Sequence, residues 1–161
     1  MIRLVRADER LIHGQTMQFI VTDYSIRRII VVDDMTATNP LLKSIFQTAV
    51  PKEISAEVFT VTDSVEAIKE AMGNSDVTLL LIKFPRTYVE LRQKIEGLPN
   101  ELNIGSQMAK NGVKFAEYAT LGQEDIEACK QLASDQVRVY FNAIGASGAV
   151  VEWETAVKNI K

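Results

Sequence analysis

Short apolar runs alternate with longer amphipathic stretches along the chain. The apolar runs are typical of strands buried on both faces of a sheet, and the amphipathic stretches are typical of helices. The pattern predicts strands at residues 2–5, 29–32, 57–61, 77–82, 102–105, 113–117 and 137–141. It predicts helices at residues 15–22, 40–49, 64–73, 87–97, 123–133 and 152–160. Because strands alternate with helices, we expect an open, mostly parallel α/β sheet with helices on both faces.

Turn residues mark several of these boundaries. Asn39-Pro40 predicts a helix start, since Asn caps helices and Pro suits the first helical position. Thr62 or Asp63 is the expected cap of the helix that follows them. Asn111-Gly112 is a turn pair, and the short connection favours an antiparallel or edge pairing of the next strand. The strand at 137–141 alternates in polarity, which predicts a last, half-exposed strand.

Composition narrows the class of protein. The chain has 161 residues, 47% hydrophobic and 24% charged, with no linker or repeat, so residues 1–161 are expected to form one domain. A net charge of −3 argues against nucleic acid as a partner. The chain has no signal segment and no apolar run long enough to span a membrane, so we expect a cytoplasmic protein.

Metal and nucleotide sites are not indicated by the sequence. Cys129 is the one cysteine, with no neighbouring Cys or His, and we expect a small buried or half-buried thiol. The glycine-rich signatures of dinucleotide and nucleoside triphosphate sites are absent from the sequence. We therefore expect neither a metal nor a cofactor.

The candidate chemistry lies in the connection after the first strand. His13 is the only histidine of the chain, and it follows Asp8 and Arg10 closely. Loops at the carboxyl ends of parallel strands form the ligand crevice of open α/β sheets. A neutral imidazole is a nucleophile near pH 7, and an acceptor such as Asp8 or a backbone carbonyl can hold its other N–H.

The same connection carries groups suited to a phosphoryl group. Arg6 and Arg10 offer fixed charge and paired donors, while Gly14 and Gln15 open a helix whose first N–H groups favour anions. The residues fit a phosphohistidine with His13 as nucleophile. Spacing alone nevertheless favours an ordinary salt-bridged turn before a helix.

The run at residues 6–15 resembles the N-terminal signature of the IIB components of the bacterial sugar phosphotransferase system, mannose/fructose/sorbose family. The resemblance extends to most of the chain. Thr16-Met17-Gln18-Phe19 departs from the family by lacking a Trp, and Ser106 stands where many members have a second glycine. The matching residues are Arg6, Asp8, Glu9, Arg10, His13, Gly14 and Gln15, with further similarity at residues 29–34, Asn39-Pro40 and Asn103-Ile104-Gly105.

The resemblance implies a protein-phosphohistidine–sugar phosphotransferase. His13 would accept phosphate from the phosphorylated IIA component and pass it to a sugar held by the membrane components IIC and IID, which would keep the protein at the inner face of the membrane. Arg10 would be the main charge stabiliser and Asp8 would orient the ring. Arg6, Gly14 and Gln15 would bind phosphate, Arg6 more weakly. On overall similarity, we favour an amino sugar such as N-acetylgalactosamine.

Several alternatives stay open from the sequence. Asp33 and Asp34 either face the crevice or begin the next helix. Asn103, Gly105 and Ser106 either line the site or form a tight turn. The chain could instead be a non-catalytic α/β sensor or binding module, or a small-molecule enzyme with His13 as general base. A homodimer is compatible with the expected edge strands, whereas the strand order and the phosphorylated ring nitrogen are not readable from the sequence.

Overall fold

The computed structural model describes residues 1–146 and 148–160. The strands are β1 (Ile2–Ala7), β2 (Arg28–Val32), β3 (Ser55–Phe59), β4 (Thr78–Ile82), β5 (Glu101–Ile104), β6 (Gln107–Met108), β7 (Val113–Ala116), β8 (Ala119–Leu121), β9 (Arg138–Asn142) and β10 (Val150–Glu152). They form a central seven-stranded sheet in the order β10-β9-β5-β1-β4-β2-β3 and, beside it, a three-stranded sheet in the order β6-β8-β7.

Neighbouring strands of the large sheet run parallel, with one exception at the edge, where β10 pairs antiparallel with β9. This confirms the expected α/β class, the mostly parallel sheet and the antiparallel edge strand. The edge strand itself was not predicted at β10, because three residues are too few to show a period.

Helices cover both faces of the sheet. A π-helical turn at Thr16–Ile20 continues directly into α1. The α-helices are α1 (Val21–Asp23), α2 (Asp34–Ala37), α3 (Pro40–Thr48), α4 (Ser64–Gly73), α5 (Pro85–Lys94), α6 (Gln123–Ser134) and α7 (Trp153–Lys158). Within the described part of the chain, no helix combines the length and the apolar character needed to cross a bilayer.

Residues 29–32 of the buried strand β2 show why this run of the sequence is continuously apolar. Ile30 and Val32 pack into a core with α4, α5, α6 and α7, whereas Ile29 and Val31 pack into a second core beside the first helix. Successive side chains of a strand point to opposite faces, so both sets must be apolar when both faces are covered.

The caps agree only in part with the sequence. Asn39 caps α3, because its Oδ1 accepts hydrogen bonds from the N–H groups of Leu41 and Leu42. Asp63 precedes α4 but its side chain makes no capping bond; its N–H instead donates to Thr60 Oγ1. Cys129 is buried, as expected.

One strand prediction is confirmed and two need correction. The strand after Asn111-Gly112 pairs antiparallel, as expected, and its partner is β8 in the small sheet. The third strand lies at Ser55–Phe59, two residues earlier than predicted. β9 is neither last nor half-exposed, because it lies between β5 and β10, and its residues after Arg138 are buried.

Candidate functional site

The connection after β1 is fixed to the ends of two other strands. The N–H of Asp8 donates to the Ile82 carbonyl at the end of β4, and the N–H of Glu9 donates to the Ser106 carbonyl after β5, both at 3.0 Å. The carboxyl ends of neighbouring parallel strands meet at one edge of a sheet, so this connection lies at the ligand edge of the fold.

A tight turn then brings the chain back over Asp8. Leu11 has a φ of 55°, and its N–H donates to the Asp8 carbonyl at 2.9 Å. The buried hydroxyl of Thr16 donates to the Leu11 carbonyl at 3.2 Å. A left-handed conformation at a residue other than glycine is unfavourable by roughly 1–2 kcal/mol, so these contacts and the burial of Leu11 hold the turn.

The turn places three cationic or basic side chains around one carboxylate. Asp8 Oδ2 lies 3.0 Å from Arg6 Nη2, 3.0 Å from Arg10 Nη2 and 3.3 Å from His13 Nε2. Asp8 Oδ1 accepts hydrogen bonds from the Arg10 N–H at 3.1 Å and from Arg10 Nε at 3.0 Å. We call Arg6, Asp8, Arg10 and His13 the Asp8 cluster.

Asp8 is the ionised centre of this cluster. Its side chain is 0% exposed, and this burial alone would raise the pKa of its carboxyl group. Hydrogen bonds with His13 and Arg10 and the charge of Arg6 outweigh burial and hold the pKa of Asp8 well below its usual range. A carboxylate held in this way stays a hydrogen-bond acceptor near neutral pH.

His13 and Arg10 form the accessible side of the cluster. Their side chains are 18% and 40% exposed, respectively. His13 directs Nε2 to Asp8, while Nδ1 has no hydrogen-bond partner among residues 1–146 and 148–160. Arg10 Nη1 also donates to Gln15 Oε1 at 3.2 Å. A Cβ built on Gly14 would meet no atom within 4 Å, so the space above the helix start is open.

Arg6 forms the inner side of the cluster and is only 1% exposed. Its Nη1 donates to Asn103 Oδ1 and, at 2.9 Å, to the Asn142 carbonyl. Its Nη2 donates to the Ala143 carbonyl at 3.1 Å. Burial lowers the pKa of Arg6, and the charge of Asp8 opposes that effect. The guanidinium therefore joins β1 to the ends of β5 and β9.

Asn103, Gly105 and Ser106 belong to this edge. A Cβ on Gly105 would overlap Arg6 Nη2 and lie 2.6 Å from Asp8 Oδ2, so a glycine is what allows this close approach. The Ser106 carbonyl holds Glu9, as described above. Asn103 and Gly105 therefore contact the Asp8 cluster itself, and Ser106 holds the backbone of the loop that carries it.

Asp33 and Asp34 serve their own helix and strand. Asp33 accepts hydrogen bonds from the N–H and hydroxyl of Thr36, at 3.0 and 2.7 Å, and so caps α2. Asp34 Oδ1 accepts a hydrogen bond from the Val61 N–H at 2.8 Å. In the described part of the chain, the side chains of Asp33 and Asp34 make no hydrogen bond to a member of the Asp8 cluster.

The sequence analysis does not identify four residues that contribute to the site. The left-handed turn at Leu11 gives no signal in the sequence, because nothing distinguishes this leucine from any other apolar residue. Thr16 looked like an ordinary helix residue. The Asn142 and Ala143 carbonyls follow a strand end, and the rule that ligand crevices form at carboxyl ends would have drawn attention to them.

The arrangement suits nucleophilic chemistry. One ring nitrogen of His13 faces an ionised acceptor, the other has no hydrogen-bond partner in the described part of the chain, and the partly exposed Arg10 binds the same carboxylate. Within the same residues, no group of three His, Cys, Asp or Glu side chains could hold a metal ion. A histidine with one N–H held by a carboxylate can attack an electrophile through its other nitrogen.

Comparison with known proteins identifies the family of the chain. The family model for the sorbose subfamily IIB component of the phosphotransferase system matches residues 2–160. The chain is 27% identical over 133 residues to the sorbose-specific EIIB component of Lacticaseibacillus casei, covering 81% of this chain and 80% of that protein. It is 28% identical over 134 residues to the mannose-specific EIIAB component of Escherichia coli K12, covering 81% of this chain but only 41% of that protein.

A solved structure gives the same fold. The IIBSor domain of the sorbose permease from Klebsiella pneumoniae matches with a TM-score of 0.88 and 22% identity, over 98% of this chain and 96% of that one. The match of the family model over nearly the whole chain confirms the resemblance seen in the sequence. The chain therefore belongs to the sorbose-subfamily IIB components of the phosphotransferase system, the phosphotransferase domains that work with IIA and IIC/IID components in sugar uptake.

Proposed function

We propose that this protein is a phosphoryl carrier that uses His13 as its nucleophile. It accepts a phosphoryl group from the phosphohistidine of a IIA component and transfers it to a sugar held by membrane components IIC and IID. The observation that carries the proposal is the 3.3 Å contact between Asp8 Oδ2 and His13 Nε2. It leaves Nδ1 as the nitrogen available for attack.

Phosphorylation then follows as a displacement at phosphorus. The Nδ1 lone pair forms the new N–P bond while the bond to the donor histidine breaks, and the donor imidazole leaves with that electron pair. His13 keeps its Nε2–H and becomes an imidazolium, whose positive charge faces the Asp8 carboxylate. The same N–H keeps the ring a good leaving group for the next transfer, because the imidazole departs in its neutral form.

In the second step, a sugar hydroxyl attacks the phosphorus. The N–P bond breaks, its electron pair returns to Nδ1, and the hydroxyl proton passes to a base on the sugar-binding components or to solvent. His13 is then regenerated as the neutral Nε2–H form. Both steps leave Asp8 ionised, so the site needs no proton exchange of its own between turnovers.

The phosphate oxygens require donors on the exposed side of His13. Arg10 is anchored to Asp8 through Nε and Nη2, while its Nη1 lies beside Gln15. We assign Arg10, Gln15 and the backbone N–H of Gly14 to the phosphate. Two arginines and one aspartate leave one net positive charge beside His13, and positioning and charge supply most of the catalysis of phosphoryl transfer.

The partners follow from the family. The E. coli relative is named as an EIIAB component, and this chain spans 41% of its length; this supports a IIA component as the donor. The names of the relatives include both sorbose and mannose, so membership of the family does not specify one sugar, and we assign the choice of sugar to IIC and IID. An amino sugar such as N-acetylgalactosamine and a homodimer both stay predictions, as does a cytoplasmic location held at the membrane through IIC and IID.

The test is phosphoryl transfer from phosphoenolpyruvate through the general carriers and a IIA protein, read by intact mass. We expect an acid-labile, base-stable adduct of one phosphate on the wild type and none on His13→Gln. Absence of the adduct when the cognate IIA is itself phosphorylated would favour the sensor. Substrate turnover without an adduct would favour the general-base enzyme, and an adduct that persists in His13→Gln would place the nucleophile elsewhere.

A further inference from the structure

We propose that Arg6 is a positioning residue for phosphoryl transfer, which holds the Asp8 carboxylate in the place where it binds Nε2–H of His13. This inference rests on the proposed carrier function and goes beyond it, because it gives Arg6 a task other than binding phosphate. Asn103 and Gly105 share this task, since both contact or border the Arg6 guanidinium.

The burial of Arg6 excludes it from the accessible side of the site. Its side chain is 1% exposed, whereas Arg10 is 40% exposed. Its two terminal nitrogens already donate to four acceptors: Asp8, Asn103 and the carbonyls of Asn142 and Ala143. A phosphate on His13 would have to displace these buried partners to reach Arg6.

Arg10 alone cannot keep Asp8 in place during the reaction. Arg10 holds Asp8 through Nε and Nη2, but the same guanidinium must bind the phosphate oxygens. Arg10 divides its donors between the two groups and is 40% exposed, so it holds the carboxylate less firmly than a buried cation does. Arg6 donates to Asp8 without contacting the phosphate, so the carboxylate keeps its position opposite Nε2 before and after transfer.

The framework around Arg6 is rigid. The guanidinium joins three strand ends, because Asp8 follows β1, Asn103 lies in β5, and the Asn142 and Ala143 carbonyls end β9. A planar guanidinium with fixed donor directions suits such a task better than an ammonium group. A carboxylate supported from three strands of one sheet cannot shift without distorting that sheet.

The framework is not optimised for stability. In the described residues, Arg6 Nε and Asn103 Nδ2 are buried side-chain donors without an acceptor. Unpaired buried donors are unfavourable, and each such group in a folded protein calls for an explanation. Holding Asp8 in one orientation provides it, because Arg6 donates to Asp8 Oδ2, the oxygen that faces Nε2 of His13.

A purely structural Arg6 predicts a different outcome. It would only tie strand ends together, and its loss would lower stability without changing the ring of His13 once the protein is folded. The test therefore needs a signal from His13 itself. This chain has a single histidine, so the Nε2–H resonance in ¹H–¹⁵N spectra is assigned without ambiguity.

The experiment compares three variants with the unphosphorylated wild type. Arg6→Gln removes the cation. Gly105→Ala keeps every charge but places a methyl group against Arg6 Nη2 and Asp8 Oδ2. Gly73→Ala is the matched control, because its Cβ would meet no atom within 4 Å. Circular dichroism and thermal unfolding establish which variants are folded, and phosphoryl transfer from IIA gives kcat and KM.

We expect a protected Nε2–H signal in the wild type and in Gly73→Ala. In Arg6→Gln and Gly105→Ala we expect that signal to be lost through exchange with water, kcat to fall roughly 10- to 100-fold, and KM for IIA to stay unchanged, because Arg6 lies below the surface. If Arg6→Gln does not fold, Gly105→Ala decides the question.

Two results would overturn the inference: no protected Nε2–H signal in the wild type, or an unchanged signal and kcat in a folded Arg6→Gln or Gly105→Ala protein. Failure of the carrier function is a separate result. A wild type that active IIA does not phosphorylate would refute the role of His13, while the Nε2–H signal, which needs no phosphate, would still report how Asp8 is held.

Discussion

Asp8 Oδ2 lies 3.3 Å from Nε2 of His13, and the carboxylate has no exposed surface. The contact therefore sits on the inner side of the imidazole ring and leaves the outer side to the reaction. A buried charge needs partners, and Asp8 has two cations beside it, the buried Arg6 and the partly exposed Arg10. This charge balance makes the site sensitive to the loss of any one member.

Asp8→Asn should show this sensitivity near neutral pH. The amide is neutral, so the buried Arg6 cation loses its counter-charge. We expect the free energy of unfolding to fall by about 3–5 kcal/mol and phosphorylation of His13 to be nearly lost. Urea unfolding and intact mass measure the two effects. A variant as stable as the wild type would mean that Arg6 is neutralised in another way.

The same substitution should change the response to acid. The pKa of Asp8 is held below its ordinary value of 3.8, so the unfolded chain takes up a proton at Asp8 before the folded protein does. Its stabilising contribution is thus fully present above about pH 4 and is lost as pH falls toward the pKa of the folded state. Urea unfolding across this range should show a steeper loss for the wild type than for Asp8→Asn, and parallel curves would contradict the assignment.

Gly14→Ala should separate function from folding. A Cβ at Gly14 would meet no atom within 4 Å, and alanine is favoured over glycine in helices by about 1 kcal/mol. We expect an unchanged or raised Tm. If the phosphate lies against the Gly14 N–H, the added methyl group should slow phosphoryl transfer several-fold. An unchanged rate would place the phosphate away from this residue.

Whether the sequence predicts a contact depends on how far apart along the chain the two residues are. The loop from Asp8 to His13 is local, so its charged residues and its histidine stand out together in the sequence, and the family resemblance assigns them their roles. The partners of Arg6 come from β5 and β9, about a hundred or more positions away, and no local pattern reports them. Asp33 is an example of a local interaction that the sequence does indicate. It caps the helix that begins at the next residue, and this was one of the two alternatives that the sequence left open.

Leu11 offers an unusual stability comparison. Leu11→Ala removes a buried side chain while keeping an unfavourable φ of 55°, and we expect a loss of about 2–5 kcal/mol. Leu11→Gly removes slightly more side chain but relieves the backbone by roughly 1–2 kcal/mol. We therefore expect Leu11→Gly to be at least as stable as Leu11→Ala in urea unfolding, the reverse of the usual order. The usual order would show that this turn is not left-handed in solution.

Arg10→Lys tests whether the geometry of the guanidinium matters beyond its charge. Arg10 uses Nε and Nη2 on Asp8 and still offers Nη1 beside Gln15. A lysine has one nitrogen, so it can pair with Asp8 or reach the phosphate, but it cannot do both in the same geometry. We expect phosphoryl transfer to slow roughly 100-fold while the fold survives, because Arg6 still neutralises Asp8.

Arg86→Lys is the matched control for that substitution. Arg86 follows β4 at the same edge of the sheet, but its Nη1 lies 2.6 Å from Asp125, outside the Asp8 cluster. We expect the Lys variant at this position to transfer phosphate at the rate of the wild type, measured with the same IIA preparation. An equal loss at both positions would indicate that arginine side chains at this edge of the sheet act in general on the encounter with IIA. A loss confined to Arg10→Lys would show that the arginine holds phosphate and Asp8 together, because a lysine preserves the net charge in both variants.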